Sequence, residues 1–165
     1  MGNTESVLGF DYGVWRIGVA TGQRLIASAT PLTTLHNRNR EQIDWPTVLS
    51  HIDQRKPDSL VVGWPIDDAG DCYPVAAAVR RFAARLHEQS GLPVWLVDER
   101  LSSEQAKTRL GVKITRQAPE HIDAGAAAII IEQYFQTKQP IALSNISKRA
   151  VQQSIQRHQQ RNHNH

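Results

Sequence analysis

Hydrophobic positions along this chain follow two rhythms. Residues 7–12 form a short apolar run ending at Asp11-Tyr12-Gly13. Arg16-Ile17-Gly18-Val19-Ala20-Thr21 reads as a second strand, and residues 25–35 as a third, broken near Pro31. Connections this short favour antiparallel neighbours joined as hairpins. The period then lengthens. Residues 40–55 place Ile43, Val48, Leu49 and Ile52 at helical spacing, with Pro46 in the first turns. Ser59-Leu60-Val61-Val62-Gly63 is a buried strand ended by Gly63-Trp64-Pro65. Residues 75–88 form an amphipathic helix with Val75, Val79, Phe82 and Leu86 on one face and Arg80, Arg81 and Arg85 mostly off it.

Gly91-Leu92-Pro93 stops that helix, and residues 94–97 make a further buried strand closed by Asp98-Glu99-Arg100. Ser102-Ser103-Glu104-Gln105 is a capping box that starts a helix over 102–110. Residues 111–120 are polar and basic and read as a mobile loop, and residues 123–135 as a last apolar helix. Crossover helices imply parallel pairing of the later strands. The pattern predicts an α/β fold: a mixed five-stranded sheet, three strands antiparallel and then two parallel, flanked by helices. It divides into a domain over 1–140 and a basic polar tail over 141–165, flexible or weakly helical, with Ile146, Val151 and Ile155 at loosely helical spacing.

The 165 residues suffice for one domain with a proper core. No stretch approaches the ~18 to 20 apolar residues that span a bilayer, so no membrane partner is expected. The single cysteine, Cys72, excludes an internal disulfide and suits a reducing compartment, hence a cytoplasmic location. The net charge of +3 is unevenly spread: Lys148, Arg149, Arg157 and Arg161 lie in the tail with no acidic residue. Setting these four aside from 19 basic and 16 acidic residues leaves a body of charge −1. Arginine outnumbers lysine 14 to 5, a bias compatible with phosphate contacts that does not by itself establish nucleic-acid binding.

Three carboxylates stand where chemistry is usually placed. Asp11 lies in or at the end of an apolar strand, where an isolated charge costs several kcal/mol unless paired or metal-bound. Glu99 follows a buried parallel strand, at the carboxyl end where ligands bind in such sheets. Asp123 opens a helix of small residues, Ala124-Gly125-Ala126-Ala127-Ala128, which can lie close to the sheet. Taken singly, Asp11 suits a turn with Gly13, Glu99 an ion pair with Arg100, and Asp123 a helix N-cap. Together they can converge on one point and hold Mg²⁺ or Mn²⁺, hard cations that prefer oxygen ligands. Two such ions support phosphodiester hydrolysis without a histidine or cysteine nucleophile. Asp98, beside Glu99, is a candidate supporting residue.

At these positions the chain resembles the YqgF family, also called RuvX or Holliday-junction-resolvase-like. The resemblance rests on Phe10-Asp11-Tyr12-Gly13 with Arg16-Ile17-Gly18-Val19-Ala20, on Val61-Val62-Gly63-Trp64-Pro65, on Asp98-Glu99-Arg100-Leu101-Ser102-Ser103-Glu104-Gln105-Ala106 and on Ile122-Asp123-Ala124-Gly125-Ala126-Ala127-Ala128-Ile129-Ile130-Ile131-Glu132. It runs from about Val7 to Phe135. It implies a ribonuclease-H-like fold and a metal-dependent nuclease of pre-16S rRNA, with Asp11, Glu99 and Asp123 as catalytic metal ligands for a two-ion Mg²⁺ or Mn²⁺ site. The implied partner is precursor rRNA or a pre-ribosomal particle.

The sequence departs from the family pattern at Asp67-Asp68-Ala69-Gly70, where extra carboxylates could add a metal ligand or repel a phosphate backbone. It departs again at His121, where relatives often carry lysine, and at Val14-Trp15. Arg16, Arg100 and His121 are the candidate substrate contacts, a structural ion pair being equally open to either arginine. A Holliday-junction DNA resolvase, or a ribosome-assembly or RNA-binding factor with little turnover, shares most of these features. Oligomeric state is left between monomer and weak dimer.

Overall fold

The computed structural model describes residues 3–39, 42–99 and 119–163, with side chains in the last segment from Asp123 onward. The expected helix over 102–110 lies outside them. The sheet has strands β1 (Ser6–Tyr12), β2 (Arg16–Gln23), β3 (Ser28–His36), β4 (Ser59–Trp64), β5 (Val94–Asp98) and β6 (Ile141–Ala142). Their order across the sheet is β3-β2-β1-β4-β5-β6. β1 runs antiparallel to β2 and parallel to β4, and β4 is parallel to β5, as the connection lengths require. Pro31 sits in edge strand β3 beside a register shift, where a missing N–H is tolerated. The sheet has six strands rather than five: β6 pairs antiparallel with β5 through only two residues, too few to show alternation.

Helix α1 (Trp45–Arg55) starts where Asp44 accepts from the Thr47 N–H, with Pro46 in the first turn where no intrahelical donor is needed. Helix α2 (Ala76–Ser90) ends at Gly91 in the left-handed conformation. Strand alternation sends Leu8, Phe10, Tyr12, Leu60 and Val62 to one face, where they pack with α1 and α2. Phe82 gathers Phe10, Tyr12 and Trp45 at centroid distances of 5.6, 5.2 and 5.5 Å. The opposite face carries Val7, Ala20, Val61 and Val97 and is covered by helix α3 (Pro119–Gln136) through Ala127, Ala128, Ile130 and Ile131. This helix begins earlier than the apolar pattern predicts, so Pro119 and Glu120 belong to it rather than to a loop. Among the described residues no helix is long and apolar enough to cross a membrane.

The segment expected to be a flexible or weakly helical tail takes part in the fold. It supplies β6 and helix α4 (Lys148–His163), whose Val151 and Ile155 join the same core as α2. Its anchor is ionic. Asp67 and Asp71, in the loop after β4, receive Arg161 at 2.5 Å each, Arg157 reaches Asp71 at 2.9 Å, and His158 Nδ1 lies 2.8 Å from Asp67. The Ser154 hydroxyl donates to Asp71 and accepts from the Cys72 N–H. Asp67 therefore fastens α4 instead of standing as a loose charge beside the strand ends. Distant apolar spacing missed this because four of the partners lie more than 80 residues downstream.

Hydrogen bonds, from His158 first for Asp67 and from Arg161 first for Asp71, hold both carboxyls below the usual range. Groups with depressed values stabilise the fold above the unfolded carboxylate range, near ~4, and lose that contribution as pH falls below it. The Asp67→Asn/Asp71→Asn variant should melt below wild type at pH 7, with the gap narrowing under acid conditions. Thermal unfolding across pH 7 to about 3 checks this; a gap constant with pH would exclude the ionic anchor.

Candidate active site

Asp11 is the next-to-last residue of β1, and its antiparallel partner on β2 is Gly18. That pairing determines what lies above it. A Cβ at residue 18 would collide with the Asp123 carbonyl group and approach Ala124 N to 2.9 Å. Only glycine lets the α3 backbone descend here, and the descent brings Asp123 beside Asp11. The arrangement replaces the expected role of Asp123 as helix opener: it lies one turn inside α3, positioned by packing.

Glu99 arrives from the other side. Its backbone N–H donates to Trp64 O at 3.3 Å, continuing the β4–β5 ladder one step past β5. Alternation puts its side chain on the face of Val97, the α3 face. Gly63 makes room there, since a Cβ on it would lie 2.5 Å from Glu99 Oε2 and 2.7 Å from Ile130 Cδ1. The three carboxylates thus lie toward the same edge of the parallel strands, and two glycines govern the approach of Asp123 and Glu99. Neither glycine stands out in the sequence except as a strand position that declines a side chain.

The electrostatics record this crowding. Burial, then the Glu99 charge and a hydrogen bond to Glu99, then the Asp123 charge, raise the Asp11 carboxyl well above its ordinary range. Burial also raises Glu99, with Asp98 adding to the effect, while its hydrogen bond with Asp11 opposes it. The consistent reading is a proton on Asp11 donated to Glu99, as expected of two desolvated carboxylates in contact. Asp123 Oδ2 instead lies 3.2 Å from Arg16 Nε. Arg16 therefore forms an ion pair inside the site.

In this arrangement no group of three or more His, Cys, Asp or Glu among the described residues is posed around a common metal position. The donor chemistry nonetheless suits a hard divalent cation, which would replace the shared proton and offset the mutual repulsion of the carboxylates. His121 contributes its backbone to the first turn of α3, and Arg100 lies outside the described residues.

Two substitutions separate support from site. Gly18→Ala pits a Cβ against backbone and should cost about 1 to 3 kcal/mol or more in denaturant unfolding. Gly63→Ala presses mainly on movable side-chain ends, so it should leave stability closer to wild type while weakening Mn²⁺ binding measured by calorimetry. Asp11→Asn should raise the melting temperature of metal-free protein at pH 8, because the amide replaces a buried carboxyl whose ionisation the fold disfavours, and should abolish any further rise on adding Mn²⁺. A metal-induced rise of equal size in wild type and variant would remove Asp11 from the ligand set.

Comparison with known proteins places this geometry in a family. Residues 5–137 match the family model described as RuvX: Holliday junction resolvase. A relative from Alcanivorax borkumensis is 41% identical over 129 residues, covering 78% of this chain and 94% of its own. One from Legionella pneumophila strain Lens is 47% identical over 135 residues, with the same coverage. Both bear the name "Putative pre-16S rRNA nuclease". Among solved structures, Thermus thermophilus RuvC in complex with a Holliday junction substrate aligns with a TM-score of 0.54 at 14% identity, over 84% of this chain and 99% of that one, a likeness of fold. A match that runs from β1 through α3, together with these relatives, identifies the chain as a member of the RuvX family.

Proposed function

We propose that the protein is a metal-dependent nuclease that hydrolyses RNA phosphodiester bonds in the maturation of pre-16S rRNA, with Asp11, Glu99 and Asp123 as its metal ligands. The observation that carries the reading is the forced contact of Asp11 with Glu99 under the charge of Asp123. A fold held together only for stability gains nothing from desolvated carboxylates in contact, which raise its energy. A pair of divalent cations bound there supplies Lewis acidity toward the phosphoryl group and the attacking water. The carboxylates of Asp11, Glu99 and Asp123 would hold the cations, in place of the proton that Asp11 otherwise favours. Arg16 holds Asp123 in place and lies where a phosphate oxygen could be met. The names of the relatives support rRNA as substrate, and cytoplasmic action on precursor RNA or a pre-ribosomal particle follows from the same reading.

A second reading, cleavage of branched DNA, is favoured by the description of the family model. One experiment distinguishes the two. Single-turnover cleavage with Mg²⁺ or Mn²⁺ is measured on RNA carrying the 16S precursor 5′ segment and on a four-way DNA junction, for wild type and Asp11→Asn. The RNA should be cut by wild type, with a loss of roughly 100-fold or more in the variant. Cleavage confined to the junction would favour the resolvase, and RNA binding without metal-dependent cleavage would point to an assembly factor.

A further inference from the structure

On the face of the sheet opposite α3, helices α1, α2 and α4 border a cleft of about 410 Å³ that the carboxylate site does not use. Tyr12 and Trp45 line it beside Arg80, Arg81, Arg85 and Lys148. An adjoining cleft of about 220 Å³ shares Arg80, Arg81 and Lys148 and extends to Gln152. Glu88 is the single carboxylate on either lining among the described residues. The cations are arranged rather than loosely scattered. Arg80 Nε donates to Ile146 O at 2.8 Å, tying α2 to the approach of α4. The Arg85 guanidinium lies 4.8 Å over the Trp45 ring, and a guanidinium stacked in this way keeps its N–H edge available to a phosphate. Lys148 is exposed at the start of α4.

Two further observations select the occupant. Four cations against one carboxylate call for a polyanion. Tyr12, which lines the cleft, directly follows Asp11, so the wall of the cleft and a candidate metal ligand are neighbours in β1. Their side chains leave opposite faces of β1. A nucleic acid reaching both must turn over the sheet edge, which a flexible single strand can do and a stiff duplex cannot. We propose that the α1–α2–α4 cleft binds the phosphate backbone of single-stranded RNA flanking the bond presented to the carboxylates. The choice of RNA rests on the nuclease reading above. Lys148 and Gln152 lie beyond the family-matched residues 5–137, so one wall of the cleft is an addition to the family core.

The test reads binding without cleavage. Anisotropy of a labelled single-stranded RNA of roughly 12 nucleotides is followed in EDTA at several salt concentrations. Lys148→Glu and Arg85→Glu should each weaken binding about 5- to 10-fold and lower the salt slope by about one. Lys148→Arg should retain affinity. Arg149→Glu, exposed on α4 but outside the cleft lining, makes the same charge change and should alter affinity less than about twofold. Equal weakening by Lys148→Glu and Arg149→Glu, no weakening by Lys148→Glu, absence of wild-type binding, or equal affinity for duplex RNA of that length would each overturn the proposal. Unchanged melting temperatures confirm that the charge reversals leave the fold intact. If wild type binds in a Lys148-dependent way and yet cleaves nothing with Mn²⁺, the nuclease reading fails and the cleft stands.

Discussion

Helix α3 lies close on the sheet because Gly9, Gly18, Gly22 and Gly63 present no side chain to it, and the rest of the molecule is arranged around that approach. Ile131 is wedged between Gly9 and Gly22, where a Cβ would come within 2.5 Å of it on either strand. At Gly18 the contact is backbone against backbone, so no rotamer change can relieve it. The far end of the helix is fixed by polar groups. The Tyr134 hydroxyl donates to Glu5 at 2.8 Å, and the Arg24 guanidinium stands 5.0 Å over the Tyr134 ring and 4.9 Å over that of Phe135. Burial and the bond to Glu5 push the Tyr134 phenol up to about 12, so it remains a donor at any physiological pH. With both ends held, the height of Asp123 above the sheet is not adjustable.

That rigidity explains how these carboxylates can be kept close together despite their mutual repulsion. Their repulsion is local, whereas the packing that opposes it extends over both faces of the sheet, from Phe10 and Phe82 on one side to Ile130 and Ile131 on the other. A locally unfavourable arrangement persists because the helix and strands that carry it are stable for other reasons. A proton on Asp11 relieves part of the crowding, as its raised carboxyl reflects.

The basic C-terminal segment changes meaning once it is folded. Arg157 and Arg161 are spent on Asp67 and Asp71, so their charges neutralise the loop after β4 and add little to an outward field. Lys148 and Arg149 stay exposed, and Lys148 joins the arginines of α2. A segment that looks uniformly cationic in sequence thus divides into an internal clamp and a surface contribution. Charge counted along the chain predicted an effect without locating it, because ion pairing depends on neighbours in space.

Much of the fold was legible in the order of residues. Alternation set the long strands, helical spacing set α1 and α2, and loop length fixed which strands run parallel, because each is a local consequence of backbone geometry. The candidate ligands Asp11 and Glu99 were legible too, since a charge at the end of an apolar strand has few explanations. Other features could not be read this way. Asp123 was expected as a ligand at the opening of its helix. Its placement one turn inside the helix was not legible, because its true neighbour, the bare backbone of Gly18, lies about a hundred residues away. Asp67 and Asp68 read as carboxylates that could add a metal ligand or repel a phosphate backbone, because the cations that engage Asp67 come from α4. The sequence alone determined the long strands, α1 and α2, and marked which carboxylates are exceptional. Only the tertiary structure decided which of them touch and which charges cancel, because close approach depends on the side chains missing from the opposing strand as much as on those present.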